Sequence, residues 1–238
     1  TNDKVNKHNR RQLRKVEKRC TIRSVNSGPG ANDASADKAG GLQRKVHLGI
    51  GARVMLTSNL WTTKGLVNGS VGNVKAICFG GTDAPPSMPA CVVVHFPQYE
   101  GPSFREDLYG PRCVPITPLE TQWFARDQKA KSPAQYTRIQ LPLKLAWAIT
   151  IHKSQGLTIG HGSPTARKVV IDIGDREMCS GLTFVALSRA KRLDDIAFSF
   201  PRFSWRRMSR CAEGKHLQTR KNFEARLDGA GEVTEAKF

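Results

Sequence analysis

The chain has 238 residues, 39% of them hydrophobic, and sets 38 Lys and Arg against 20 Asp and Glu for a formal charge of +18. That length can bury a core of one or two domains, and no apolar run nears the roughly 18 residues that a membrane helix needs. A positive field of this size gathers phosphates over about a Debye length, roughly 8 Å in physiological salt, so nucleic acid is the expected partner and a membrane surface is not.

No signal-peptide pattern opens the chain, from which a soluble, intracellular protein is expected. It begins at Thr1, and we expect it to be part of something longer. The six cysteines, Cys20, Cys78, Cys91, Cys113, Cys179 and Cys211, form no CxxC pair, so neither a zinc site nor a disulfide framework is expected. They read as small buried hydrophobes.

The opening stretch TNDKVNKHNRRQLRKVEKRC spaces Val5, Asn9, Leu13, Val16 and Cys20 three or four apart among Lys and Arg, which predicts an amphipathic basic helix with Asn2 or Asp3 near its start. Residues 26–44 have the composition of a mobile loop. ARVMLT, 52–57, reads as a buried strand. A turn follows at Val67–Ser70, with Asn68 and Gly69 in the positive-φ positions.

From 69 to 138 proline and glycine alternate with short β-like runs, VGNVKAICF, ACVVVHF and CVPIT, and helical periodicity is absent. A small antiparallel barrel or sandwich, inserted between two pieces of an α/β layer, fits that pattern.

In LPLKLAWAITIHKSQGLT, Leu141, Leu143, Leu145, Trp147, Ile149 and Ile151 occupy alternate positions, the period of a strand. Small alanines on the other face suit a strand covered on both sides. His152, Lys153, Ser154, Gln155 and Gly156 then cluster beyond its carboxyl end, where α/β sheets bind ligands; the competing reading is a solvated loop. KVVIDIG, 168–174, and DDIAFSF, 194–200, read as further strands. GLTFVALSRAK, 181–191, reads as a short buried helix that emerges at Ser188, Arg189 and Lys191. The tail from 205 to 238 is expected to be a basic helix followed by disorder.

Arg189 follows Leu182, Val185 and Ala186 by seven, four and three positions, so its guanidinium starts from the stripe that packs inward. A charge there needs an anionic partner. Asp172, Asp175 and Glu177 could supply one, and so could a nucleotide phosphate, whose geometry suits arginine's rigid fork; spacing leaves both open. Trp61 and Trp123 could stack on bases, but core packing is the favoured use of each. His47, His95 and His161 stand alone and read as structural or exposed. No metal ligands are assigned.

Taken in order, TNDKVNKHN, GARVMLTSNLWTTKGLVNGSVGNV, LPLKLAWAITIHKSQGLT and GLTFVALSRAK resemble four successive segments of superfamily 1B DNA helicases of the Pif (petite integration frequency) and RecD group. They are similar to the fourth motif, the approach to an inserted Src-homology-3-like (SH3-like) barrel, and the fifth and sixth motifs, and they span most of 1–204. The resemblance implies an α/β fold: a RecA-like parallel sheet with helices, in parts 1–68 and 139–204, interrupted by an SH3-like barrel over 69–138. It leaves 205–238 uncovered.

The resemblance further implies the carboxyl-terminal motor half of an ATP-dependent 5′–3′ DNA helicase. Arg189 would be the arginine finger at the γ-phosphate, and Gln155 and Gly156 would border the nucleotide. Asn2, His152, Lys153 and Ser154 would meet single-stranded DNA. ATP and Mg²⁺ would be held mainly by the amino-terminal RecA-like domain, the partner of this half along with single-stranded and forked DNA. If the source is eukaryotic, nucleus or mitochondrion would be the place; DNA repair, recombination and telomere maintenance are processes associated with the family, and the sequence does not choose among them.

No GxxxxGK[ST] phosphate loop occurs in the sequence, so the chain alone is expected to be inactive. Two rival readings are a non-catalytic basic nucleic-acid-binding fragment or degenerate mobile-element copy, and a basic structural protein of a ribonucleoprotein.

Overall fold

The computed structural model describes residues 2–28, 30–81, 84–125, 134–159, 168–174, 181–199, 219 and 221–226. Two compact units divide the chain, Thr1–Lys153 and Ser154–Phe238. The first contains helices α1 (Asn2–Leu13) and α2 (Glu106–Tyr109). Its strands are β1 (Cys20–Arg23), β2 (Val25–Ser27), β3 (Lys45–Leu48), β4 (Arg53–Leu56), β5 (Val71–Cys78), β6 (Cys91–His95), β7 (Cys113–Ile116), β8 (Leu119–Ala125), β9 (Ala134–Gln140) and β10 (Leu143–Leu145).

Helix α1 buries Asn9 and Leu13 and carries Asp3 in its first turn and Arg10 and Arg11 in its last, the placement that suits the helix dipole. It ends sooner than the apolar spacing predicts. Lys18 turns the chain with a left-handed φ of 46°, and Cys20 already begins β1, whose Ile22 lies opposite Val46 of β3 with both side chains fully buried.

The core of this unit lies on a five-stranded antiparallel sheet in the order β10-β4-β5-β6-β7. Val54, Leu56, Val74, Val92, Val94, Ile116 and Leu143 form one buried cluster from it, together with Leu13, Ile22, Val46 and Leu48. The three β-like runs of the proline-rich region are β5, β6 and β7, and β4 coincides with the ARVMLT reading. The sheet also takes in β4 and β10, which flank the 69–138 segment in sequence. A second sheet, β2-β9-β8, is antiparallel too.

Several expectations are corrected here. The strand read over 141–151 is only Leu143–Leu145, an antiparallel edge partner of β4, because a period of two does not reveal strand direction or where pairing stops. After it the chain leaves the ladder and forms a 3-10 turn at Ile151–Ser154. At the turn before β5, Gly69 has φ 101° but Asn68 does not take positive φ. The 26–44 segment is fastened rather than loose. Fully buried Arg138 donates from Nε to Asn26 Oδ1 (2.7 Å), from Nη1 to the Leu42 carbonyl (3.0 Å), and from Nη2 to the carbonyls of Ala31 (2.8 Å) and Ala34 (3.0 Å).

The second unit holds β11 (Val169–Ile171), α3 (Leu182–Leu187) and β12 (Ile196–Phe198). β11 and β12 run parallel, the pairing expected of an α/β layer. Helix α3 buries Thr183 and Ala186, yet Phe184 is 70% exposed, so it is less enclosed than its composition predicts. Mixed α/β is therefore the fold class, with several sheets. Most of the 205–238 reading lies outside the described residues; 219 and 221–226 are helical.

Candidate nucleotide and nucleic-acid interface

In the second unit, the Ile159 N–H donates to the Arg189 carbonyl (2.8 Å) and the Lys191 N–H donates to the Ile159 carbonyl (3.1 Å), a parallel bridge between Ile159 and Ala190. Two residue types singled out in the sequence are thus stitched together through the backbone. Gln155 and Gly156 lie three or four residues before that bridge, and both are exposed. The Leu157 N–H donates to the Ser154 carbonyl (3.0 Å), closing a tight turn over them.

Gly156 has φ 80°, a conformation that L side chains rarely adopt, and no atom of the described residues lies within 4 Å of where a Cβ would stand. The main chain there is open to a ligand. Ser154, expected among the DNA contacts, is buried and engaged.

Arg189 is half-buried. Its Nε donates to the Val185 carbonyl (3.1 Å) and its Nη2 to Ser188 Oγ (2.9 Å). Those partners orient the guanidinium without neutralising it, and among the described residues no carboxylate pairs with it. Asp172 accepts from the Gly174 N–H (2.9 Å); Asp175 and Glu177 lie outside the described residues. A guanidinium without a carboxylate partner can bind a phosphoryl group, and the backbone bridge ties its segment to the one that carries the open glycine turn.

In the first unit, Asn9 joins α1 to the segment leading to His152 and Lys153. Its Nδ2 donates to the Ala148 carbonyl (2.9 Å) and the Leu145 carbonyl (3.4 Å), and its Oδ1 accepts from the Ala148 N–H (2.8 Å). These contacts take over the main-chain groups just past β10. Asn2, near the exposed start of α1, is seven residues from Asn9, roughly 10 Å along the helix axis. His152 and Lys153 are exposed on the 3-10 turn.

Asn9 was legible as a polar residue in an apolar stripe, but its role was not assigned. Lys144, between Leu143 and Leu145 in the alternating run, is the other residue whose surroundings the sequence does not reveal. Burial first, then contact with Lys153, pushes its amine down to about 7.

Trp61 is 44% exposed and tilted against Tyr99 at 6.4 Å, so core packing does not account for it. Trp123 is half-buried, stacks on Tyr136 at 5.8 Å and receives the Arg138 guanidinium over its ring at 5.8 Å, which occupies it structurally. His47 shares a 2.9 Å hydrogen bond with Thr21 Oγ1 rather than standing alone. Cys78 and Cys91 face each other across β5 and β6, and burial followed by that neighbour pushes the Cys91 thiol up to about 11. Among the described residues no group of His, Cys, Asp and Glu could hold a metal ion, and no helix is long and apolar enough to cross a membrane.

No protein-family model matches the chain. Over 156 residues, 65% of the chain, it is 38% identical to the ATP-dependent DNA helicase PIF1 of Danio rerio, of whose length it spans 19%. The crystal structure of Pif1 helicase from Candida albicans superposes with a TM-score of 0.63 at 27% identity, covering 94% of this chain and 48% of that one. Bacteroides sp. Pif1 in complex with ADP-AlF4 matches with a TM-score of 0.52 at 26% identity, covering 84% of this chain and 38% of that one. The relatives and structural neighbours are thus Pif1 helicases, and the chain is similar to one segment of them, spanning 19% of the length of the Danio rerio relative.

Proposed function

We propose that the chain is the carboxyl-terminal motor half of a Pif1-type ATP-dependent DNA helicase moving 5′ to 3′ on single strands. One observation carries this reading: the Ile159–Arg189 backbone bond ties the chain just after the Gln155–Gly156 turn to the segment whose guanidinium is oriented but not neutralised. In the intact enzyme Gln155 and Gly156 would border the nucleotide. Arg189 would reach the γ-phosphate of ATP held by the amino-terminal RecA-like domain with Mg²⁺.

When bound, ATP supplies the phosphoryl group whose transfer drives stepping. Charge gathers on its oxygens in the transition state, and a finger of this kind is worth ~10³ to 10⁵ in rate. Val185 and Ser188 hold the Arg189 fork in place for it. Asn2, His152, Lys153 and the basic face of α1 would form part of the single-strand track, with Ser154 fixing the turn between track and nucleotide edge. The segment 69–138 would serve as an SH3-like barrel that helps guide or split forked DNA. Without a phosphate loop, the chain alone would not hydrolyse ATP at a useful rate.

The reading is tested in the full-length helicase containing both RecA-like domains. Arg189→Ala is expected to lower DNA-stimulated ATPase turnover by ~10³-fold or more while single-strand affinity stays within about twofold. Unchanged turnover would remove the finger.

A further inference from the structure

The first unit contains a pocket of about 270 Å³ whose wall includes Lys144, Lys153, Asp37, Gln43, Thr57 and Asn68. Both lysines line this pocket, and the nearby Lys153 adds to burial in driving the Lys144 amine toward its neutral form. Lys144, more buried than the exposed Lys153, is the one that loses its proton.

Asp37 offsets this only in part, and it is an exposed carboxylate. Of the ionisable groups on the strands packed against β10, Arg53 on β4 and Lys45 and His47 on β3 contribute no resolved interaction with the Lys144 amine. The Thr57 hydroxyl oxygen is buried and has no hydrogen-bond partner. Two lysines that repel when both are charged, set in a polar recess, make a place where an oxyanion would relieve the repulsion. It would accept from both ammoniums at once.

We propose that Lys144 and Lys153 form a clamp for one phosphate group, and that closing on it transfers a proton from solvent onto Lys144. No covalent bond changes: the neutral amine gains one proton, and its N–H groups then donate to the phosphate oxygens alongside those of Lys153. The phosphate is an internucleotide phosphate of a single strand. The proposal thus rests on the track reading of Lys153 and adds to it a pH-dependent grip.

Free Lys144 titrates at about 7, and a neighbouring anion raises that value. Binding is therefore strongest below pH 7 and weakens as pH rises above it, by up to about tenfold per unit for one linked proton.

The test is calorimetric titration of the 238-residue chain with oligo(dT), and separately with sulfate, whose charge is constant in this range. Each is done near pH 8 in two buffers of different ionisation enthalpy. Uptake approaching one proton is expected on oligo(dT) binding. Lys144→Met should abolish it. Lys153→Met should only reduce it, because burial, the larger influence on Lys144, persists, but should weaken oligo(dT) binding; this second variant guards against a folding defect in the first.

No uptake by the unaltered chain, or uptake by Lys144→Met equal to that of the unaltered chain, overturns the clamp. Uptake with oligo(dT) while sulfate is silent supports the internucleotide source. If oligo(dT) does not bind the unaltered chain at all, the track reading fails, and sulfate decides the clamp separately. Lys144-dependent proton uptake with sulfate keeps it as a free-anion site, and its absence overturns it.

Discussion

At the scale of single residues, the buried charge of Arg138 fastens an otherwise irregular segment. Its four hydrogen bonds end on Asn26 Oδ1 and three main-chain carbonyls, so it is solvated by the protein in place of water. Arg138→Met removes the donors but leaves those acceptors in place, and each unsatisfied buried acceptor costs ~1 to 3 kcal/mol. We expect urea unfolding to show a loss of about 3 kcal/mol or more, with the 28–44 segment becoming open to proteolysis. A loss below about 1 kcal/mol would mean that the segment is held by something else. Composition read that segment as a loose loop because the residue that fastens it lies 94 or more positions downstream, Arg138 against Arg44 and earlier.

Among the elements, β5 shows how tightly the central sheet is built. Gly72 lies opposite Val54, and a Cβ added there would stand 2.6 Å from the His95 carbonyl oxygen and 2.7 Å from Val94 Cγ1. Neither can withdraw without disturbing the β5–β6 ladder. Gly72→Ala is expected to destabilise the chain by ~1 to 3 kcal/mol, read as a lower thermal midpoint. An unchanged midpoint would show that the sheet yields locally. The strands β4 to β7 were legible because β-branched and apolar runs bounded by Gly and Pro carry their own signal. The length and direction of β10 were not, since Asn9, from a helix more than 130 residues upstream, takes the backbone groups that a longer strand would have used.

For the whole molecule, burial and then neighbouring positive charge lower the affinity of His47 and His95 for protons. His47 is depressed by burial first, then by Arg10 and Lys45, and His95 by burial, then Lys75 and Arg112. Both ordinary values are 6.5, and the folded values lie below it. The unfolded chain thus binds more protons as pH falls below 6.5, so the stability present above that pH is progressively lost through the folded pKa values. The thermal midpoint should be lower at about pH 5 than at about pH 7, and His47→Asn combined with His95→Gln should shrink that difference. An equal difference in the double variant would assign the acid sensitivity to other groups.

Charge and local pattern by themselves determined that this chain carries a strong positive field, where its central strands run, and that its ordered motifs are similar to those of Pif1 helicases. Those properties are additive or short-ranged, so they survive in a linear reading. Tertiary structure alone decided that Arg138 binds the early loop, that Asn9 ends β10, that Arg189 is steadied by Val185 and Ser188, and that Lys144 meets Lys153. Each of these depends on two groups far apart in sequence or on a side chain's final direction, and hydrogen-bond geometry and desolvation take their values only once the chain has brought such groups together.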